Sequence, residues 1–158
     1  KLAVDIGAAS ADHLMAIDEE GIDALSSSNV IATLLPGTTF FLNKKKYANG
    51  RKLIENNCDV AIASDFNPGT CTIRSLPNIM FLAMQNCGLT LEESFLGVTY
   101  NAAKSLKLDN QVGLLAENYL ADIILWNVEE LFEIPYWYDS SQTKISHIFK
   151  KGMNSYKK

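Results

Sequence analysis

The sequence predicts an α/β protein built on parallel strands and followed by a small antiparallel unit. Three observations carry that prediction. Strand-like and helix-like segments alternate with short connections over the first two-thirds of the chain, which implies parallel strands joined by right-handed crossovers. Strand-like segments such as Val30–Leu35 and Val60–Ser64 are continuously apolar, as strands buried on both faces are. After Leu108 the pattern changes to short strands separated by polar breaks.

Taken in order, Lys1–Gly7 reads as the last turns of a helix already under way. There is no initiating Met, and Asp5 interrupts the apolar stretch in a way a secretory leader does not. A piece of a longer protein is therefore expected. Ala8–Leu14 is short enough for a strand. Asp18–Ser28 has acidic residues at its start and Ile22 and Leu25 at helical spacing, which predicts a helix. Val30–Leu35 is a buried strand closed by Pro36-Gly37. Gly50–Asn57 is a short helix with Leu53 and Ile54 inward, and Val60–Ser64 is a second buried strand ending at Asp65. The loop Phe66-Asn67-Pro68-Gly69-Thr70 follows. Ser75–Asn86 is a helix, apolar at Ile79, Leu82 and Ala83. Leu91–Val98 is another, with Thr90 and Glu93 in capping-box spacing, and Asn101–Leu106 a third. Beyond the polar break Asp109-Asn110-Gln111, short strands are expected at Val112–Leu115, Ala121–Trp126 and Ile145–Lys150. Lys151-Gly152 is read as a hairpin turn and Met153–Tyr156 as its return strand.

Composition narrows the function classes. The chain has 158 residues, 47% hydrophobic and 20% charged, enough apolar content for a core and too much for disorder. A formal net charge of -4 excludes nucleic-acid binding through a broad basic face. No apolar run approaches the roughly 18 residues of a membrane span. Three cysteines, Cys58, Cys71 and Cys87, form no C-x-x-C and read as free thiols in a reducing cytoplasm. Cys71 lies beside the glycine-containing loop, but no base is at hand to make it a nucleophile.

In parallel α/β architectures function collects at the carboxyl ends of strands. Three polar features fall there: His13, Pro36-Gly37-Thr38-Thr39, and Asp65-Phe66-Asn67-Pro68-Gly69-Thr70. Asp65 can bind a metal, act as a base, or cap the turn that Asx-Pro-Gly sequences make. Gly69 either lets the backbone approach a ligand or serves the turn. His13 is structural or catalytic with about even weight on the residues alone, and His147, in a tail strand, reads as structural. Lys44-Lys45-Lys46 reads as a solvated face, and Tyr136-Trp137-Tyr138 as packing between the tail and the main unit.

Together these residues resemble the imidazolonepropionase family of metal-dependent cyclic amidohydrolases. The resemblance rests on Ser10-Ala11-Asp12-His13-Leu14, Leu34-Leu35-Pro36-Gly37, Ala63-Ser64-Asp65-Phe66-Asn67-Pro68-Gly69-Thr70 and Val98-Thr99-Tyr100-Asn101-Ala102-Ala103. Val112-Gly113-Leu114-Leu115 and Ala121-Asp122-Ile123-Ile124-Leu125-Trp126 resemble the wider superfamily's return to its small β-domain. The Asp-Phe-Asn-Pro-Gly loop paired with Leu-Leu-Pro-Gly is the specific part. The superfamily usually has a glycine before Ala-Asp; Asn118 stands there, a residue that tolerates the left-handed conformation.

The resemblance implies an α/β fold that is the C-terminal part of a TIM (β/α)8 barrel, about the last three βα units over residues 1–108. Residues 109–158 would be the C-terminal part of a β-sandwich domain. It implies Asp65 as a metal-binding and catalytic aspartate, His13 as the catalytic histidine, and Asn67, Gly69 and Thr70 as substrate contacts. The implied cofactor is one divalent or transition metal ion, zinc or iron. The implied reaction is hydrolysis of the ring amide of 4-imidazolone-5-propanoate to N-formimidoyl-L-glutamate, in the cytoplasm. That partner is a small molecule, with no nucleic acid and no membrane, and the longer protein admits a homodimer. The family's His-x-His pair and further metal histidine are absent, and a catalytic zinc takes about three protein ligands, so the chain alone is expected to be inactive. Two alternatives stand beside this reading: another cyclic amidohydrolase or deaminase of the superfamily, and a non-catalytic α/β binding module.

Overall fold

The computed structural model describes residues 1–157; Lys158, the last residue of the second expected unit, lies outside them. A short helix α1 (Leu2–Asp5) precedes strand β1 (Ser10–Asp12), helix α2 (Glu19–Ser26) and strand β2 (Ile31–Leu34). Then come α3 (Pro36–Phe41), α4 (Gly50–Glu55), β3 (Val60–Ile62), α5 (Leu76–Cys87), α6 (Leu91–Val98) and α7 (Tyr100–Ser105). The three strands form one parallel sheet in the order β1-β2-β3.

Side-chain alternation along the strands decides what each face of that sheet does. Ala32, Leu34, Val60 and Ile62 point to one side and pack against Ile22 and Leu25 of α2, Leu53 of α4 and Ile79, Met80 and Ala83 of α5. Ile31, Thr33 and Ala61 therefore turn to the other side. Helices α2, α4 and α6 start on side-chain caps. Asp18 accepts the Gly21 amide at 2.9 Å to start α2, and Thr90 and Glu93 close a full capping box on α6. The α7 helix covers the amino end of the sheet. Asn101, buried, donates to the Val60 carbonyl at 2.9 Å, and Lys104 pairs with Asp59 at 2.5 Å.

As expected, β2 ends ahead of Pro36-Gly37, and Pro36 is the first residue of α3, where a proline leaves no helical amide unpaired. One expectation is corrected: the strand expected over Val112–Leu115 does not form. Gln111 and Val112 donate their amides back to the Leu108 carbonyl, at 2.9 and 3.0 Å, and Gly113 adopts φ 96°. A Cβ at Gly113 would stand 3.0 Å from Thr99 O and from the Tyr100 backbone, so the segment is a run of turns pressed against α7.

The tail is a separate antiparallel sheet of β4 (Ile123–Trp126), β5 (Ile145–Lys150) and β6 (Met153–Lys157). Lys151 and Gly152, with φ 51° and 76°, make the two-residue turn that such hairpins favour. Asp122 holds it by accepting the Lys151 amide at 2.8 Å and pairing with Lys150. Asn118 takes φ 68°, as expected for a residue standing in for glycine. A further short helix α8 (Glu133–Tyr136) buries Ile134 and Pro135, and Tyr138 stacks on Phe81 of α5 with ring centroids 4.8 Å apart. Of the aromatic cluster, Tyr138 thus joins the tail to the main unit, while Tyr136 and Trp137 pack on each other and stay exposed. His147 stacks on Phe149 and bonds Ser146 at 2.8 Å, a structural role.

Candidate active site

The carboxyl ends of the outer strands hold the two residues singled out for catalysis. The parallel ladder runs one residue past β1, where the His13 amide donates to the Thr33 carbonyl at 3.0 Å. His13 then turns to φ 69° and Leu14 to φ 58°. Past β3, Ala63 donates to Leu34 at 3.1 Å and Asp65 takes φ 51°. The left-handed region disfavours residues with a Cβ, and residues held there by their surroundings cluster at functional sites. The remaining non-glycine residues with positive φ, such as Asn43, Asn57, Lys107 and Lys151, lie in turns or just past helix ends.

Asp65 is partly buried and its two oxygens are held differently. Thr38 Oγ1 donates to Asp65 Oδ2 at 2.6 Å, and Asn67 Nδ2 reaches Asp65 Oδ1 at 3.3 Å. A carboxylate has about four lone-pair sites, so two remain. No cationic side chain pairs with Asp65 among the described residues.

Asn67 organises the loop it begins. Its Oδ1 accepts the amides of Gly69 and Thr70 at 2.9 and 2.8 Å, and its Nδ2 donates to the Asp65 carbonyl at 2.6 Å and to Thr70 Oγ1 at 2.8 Å. Its own amide closes the loop onto the Cys71 carbonyl at 2.8 Å. Gly69 has no positive φ, and a Cβ there would meet only Asn67 Oδ1, at 3.5 Å. Neither backbone strain nor crowding within the chain requires glycine at this exposed position.

The structure therefore gathers Asp65, Asn67, Gly69 and Thr70 into one loop and leaves His13 two strands away. Thr38, which the sequence placed with Thr39 among the polar features at strand ends but did not tie to Asp65, joins this group. Among the described residues no group of three or more His, Cys, Asp or Glu stands together as a metal cage. Asp65 fits a metal as a single ligand, by its free lone pairs. A cavity of about 510 Å³ opens at the opposite, amino end of the strands, among Asn29, Asp59, Lys104 and Asp109, away from these residues. The three thiols are buried, and burial raises Cys87 to about 11, so Cys87 is inert at neutral pH. Among the described residues no helix is long and apolar enough to cross a membrane.

The model of the Amidohydrolase family matches residues 9–154. An imidazolonepropionase from Kosmotoga olearia is 47% identical over 152 residues, covering 96% of this chain and 37% of that protein. One from Bacillus cytotoxicus is 41% identical over 154 residues, covering 98% and 36%. The chain thus spans little more than a third of the length of these relatives. Among solved structures, E. coli guanine deaminase superposes with a TM-score of 0.78 at 19% identity, over 94% of this chain and 39% of its own. An adenosine deaminase from Xanthomonas campestris with bound zinc gives 0.78 at 12% identity, over 92% and 36%. At these identities the likeness is one of fold.

Proposed function

This chain belongs to the amidohydrolase family, and from that premise we propose that it is the portion of an imidazolonepropionase carrying the metal-binding aspartate. Its parallel sheet, residues 1–108, would be the last three βα units of a (β/α)8 barrel, and residues 109–158 part of a β-sandwich domain. The observation that carries the reading is Asp65: a partly buried carboxylate at a strand's carboxyl end, oriented by two neutral donors, with no cationic partner among the described residues. Such a group gains by meeting a cation. The other ligands would come from the length the relatives have beyond this chain.

The reaction is hydrolysis of the ring amide of 4-imidazolone-5-propanoate to N-formimidoyl-L-glutamate. Asp65 would be one ligand of a zinc or iron ion, which would supply Lewis-acid polarisation and a water of lowered pKa at this site. Asp65 takes a proton from the attacking water as its oxygen bonds the carbonyl carbon, and the proton passes to the ring nitrogen as the C–N bond breaks. His13 donates toward the oxygen that gains charge. Gly69, whose missing side chain nothing in the chain's own packing accounts for, lets the backbone approach the substrate. Asn67 and Thr70 hold that backbone in place and contact the substrate from the same loop. We assign the protein to the cytoplasm and allow a homodimer.

The test uses the protein at the length of its relatives. It should hydrolyse 4-imidazolone-5-propanoate, and Asp65→Ala should remove both turnover and bound metal, by more than the ~100-fold that loss of an outer partner costs. Turnover of guanine or dihydroorotate in its place, or an unaffected Asp65→Ala enzyme, overturns the reading.

A further inference from the structure

Resting on that reading, we propose that Thr38 is a positioning residue for the metal site: its hydroxyl fixes the Asp65 carboxylate in the orientation that presents its free lone pairs to the ion. Three observations support this.

The first is the bond itself. At 2.6 Å, Thr38 Oγ1 to Asp65 Oδ2 has the length of a charge-assisted hydrogen bond. Thr38 is 6% exposed, so water does not compete for that oxygen. A helical threonine commonly turns its hydroxyl back to the carbonyl four residues earlier. Here that carbonyl, Leu34 O, already accepts Ala63, and Thr38 reaches across to Asp65. Its branched Cβ leaves few rotamers, so the hydroxyl direction follows from the backbone of α3.

The second is the packing that places α3. A Cβ at Gly37 would stand 2.7 Å from Ile79 Cδ1 and 3.0 Å from Cys71 Sγ. The first turn of α3 therefore lies directly on α5 and on the loop that follows Asp65. That close approach brings Thr38 within reach of a residue 27 positions later.

The third is the neighbouring hydroxyl. Thr39, 3% exposed, donates to Met15 Sδ at 3.3 Å, on the loop that begins at His13. Consecutive threonines after β2 thus tie the loops after β1 and β3 together, one through a strong acceptor and one through a weak one. The middle strand contributes no ligand of its own; it sets the two outer strand ends relative to each other.

The experiment compares Thr38→Val, which keeps the shape and removes the hydroxyl, with Thr38→Ser, which keeps the hydroxyl, in the protein at the length of its relatives. Metal retained under chelator competition is the readout, alongside the KM and kcat split and the unfolding midpoint of the metal-free proteins. Thr38→Val should hold metal about 10- to 100-fold more weakly and lose kcat with KM nearly unchanged, and Thr38→Ser should restore both. If Thr38→Val retains metal as the parent does, the proposal is overturned while Asp65 stands as ligand. If Thr38→Ser falls as far as Thr38→Val, the threonine acts by packing and the proposal is likewise overturned. Metal retention by Asp65→Ala would overturn both this inference and the reading beneath it.

Discussion

The two ends of the parallel sheet use polar side chains in opposite ways. At the amino end, Lys104 meets the charge of Asp59 and Asn101 meets the carbonyl of Val60. Both of these groups are answered by another group of the chain. At the carboxyl end, the partners of Asp65 among the described residues are the neutral donors Thr38 and Asn67, and the backbone at His13, Leu14 and Asp65 is held in the left-handed region. One end pairs its buried carbonyl and its carboxylate within the chain; the other, among the described residues, keeps a carboxylate oriented without a cation. In barrel architectures residues at the amino face read as stability and those at the carboxyl face as catalysis, and the electrostatics here divide along that line.

The largest expected effect tests the carboxyl end. His13→Ala should lower kcat by about 10²- to 10⁴-fold, the usual contribution of a positioned acid or base, with metal content by elemental analysis unchanged. Loss of metal together with activity would make His13 a ligand rather than a proton donor and would redraw the site.

The matching test at the amino end is Asn101→Leu. The buried Val60 carbonyl would lose its side-chain donor, at a cost of about 1–3 kcal/mol of folding stability, read by denaturant unfolding. Turnover per folded molecule should stay near that of the parent. A variant as stable as the parent but catalytically impaired would break the division between the two ends.

The sequence made the alternation of strands and helices legible because its buried strands are unbroken apolar runs and helices such as α2 and α6 carry side-chain caps. The Thr90–Glu93 capping box and the Lys151-Gly152 turn are local chemistry and could be read locally. Val112–Leu115 could not. Its apolar residues suit a strand, but Gly113 yields to a packing contact with α7 that no local pattern reveals. Asp65, Asn67, Gly69 and Thr70 could be grouped from one short loop. Thr38 could not be joined to them, because the bond spans 27 positions and depends on how closely α3 lies on α5.

The smallest effect sharpens the comparison through pH. The hydrogen bond that Lys104 donates to Asp59 raises its ammonium above the ordinary 10.5, and partial burial opposes this only in part. A group whose pKa is higher in the folded state stabilises it fully below the unfolded value, and that contribution is lost as pH rises through the folded value. The stability of the parent should therefore carry an alkaline decline that sets in above 10.5 and that Lys104→Met lacks. At neutral pH the same substitution should cost less than about 1 kcal/mol, because Asp59 is half exposed and the pair is screened. Neither change should alter metal retention at the other end of the sheet. A shift in metal affinity on Lys104→Met would mean that the two ends are coupled through the strands, and the division drawn here would have to be replaced by a single network.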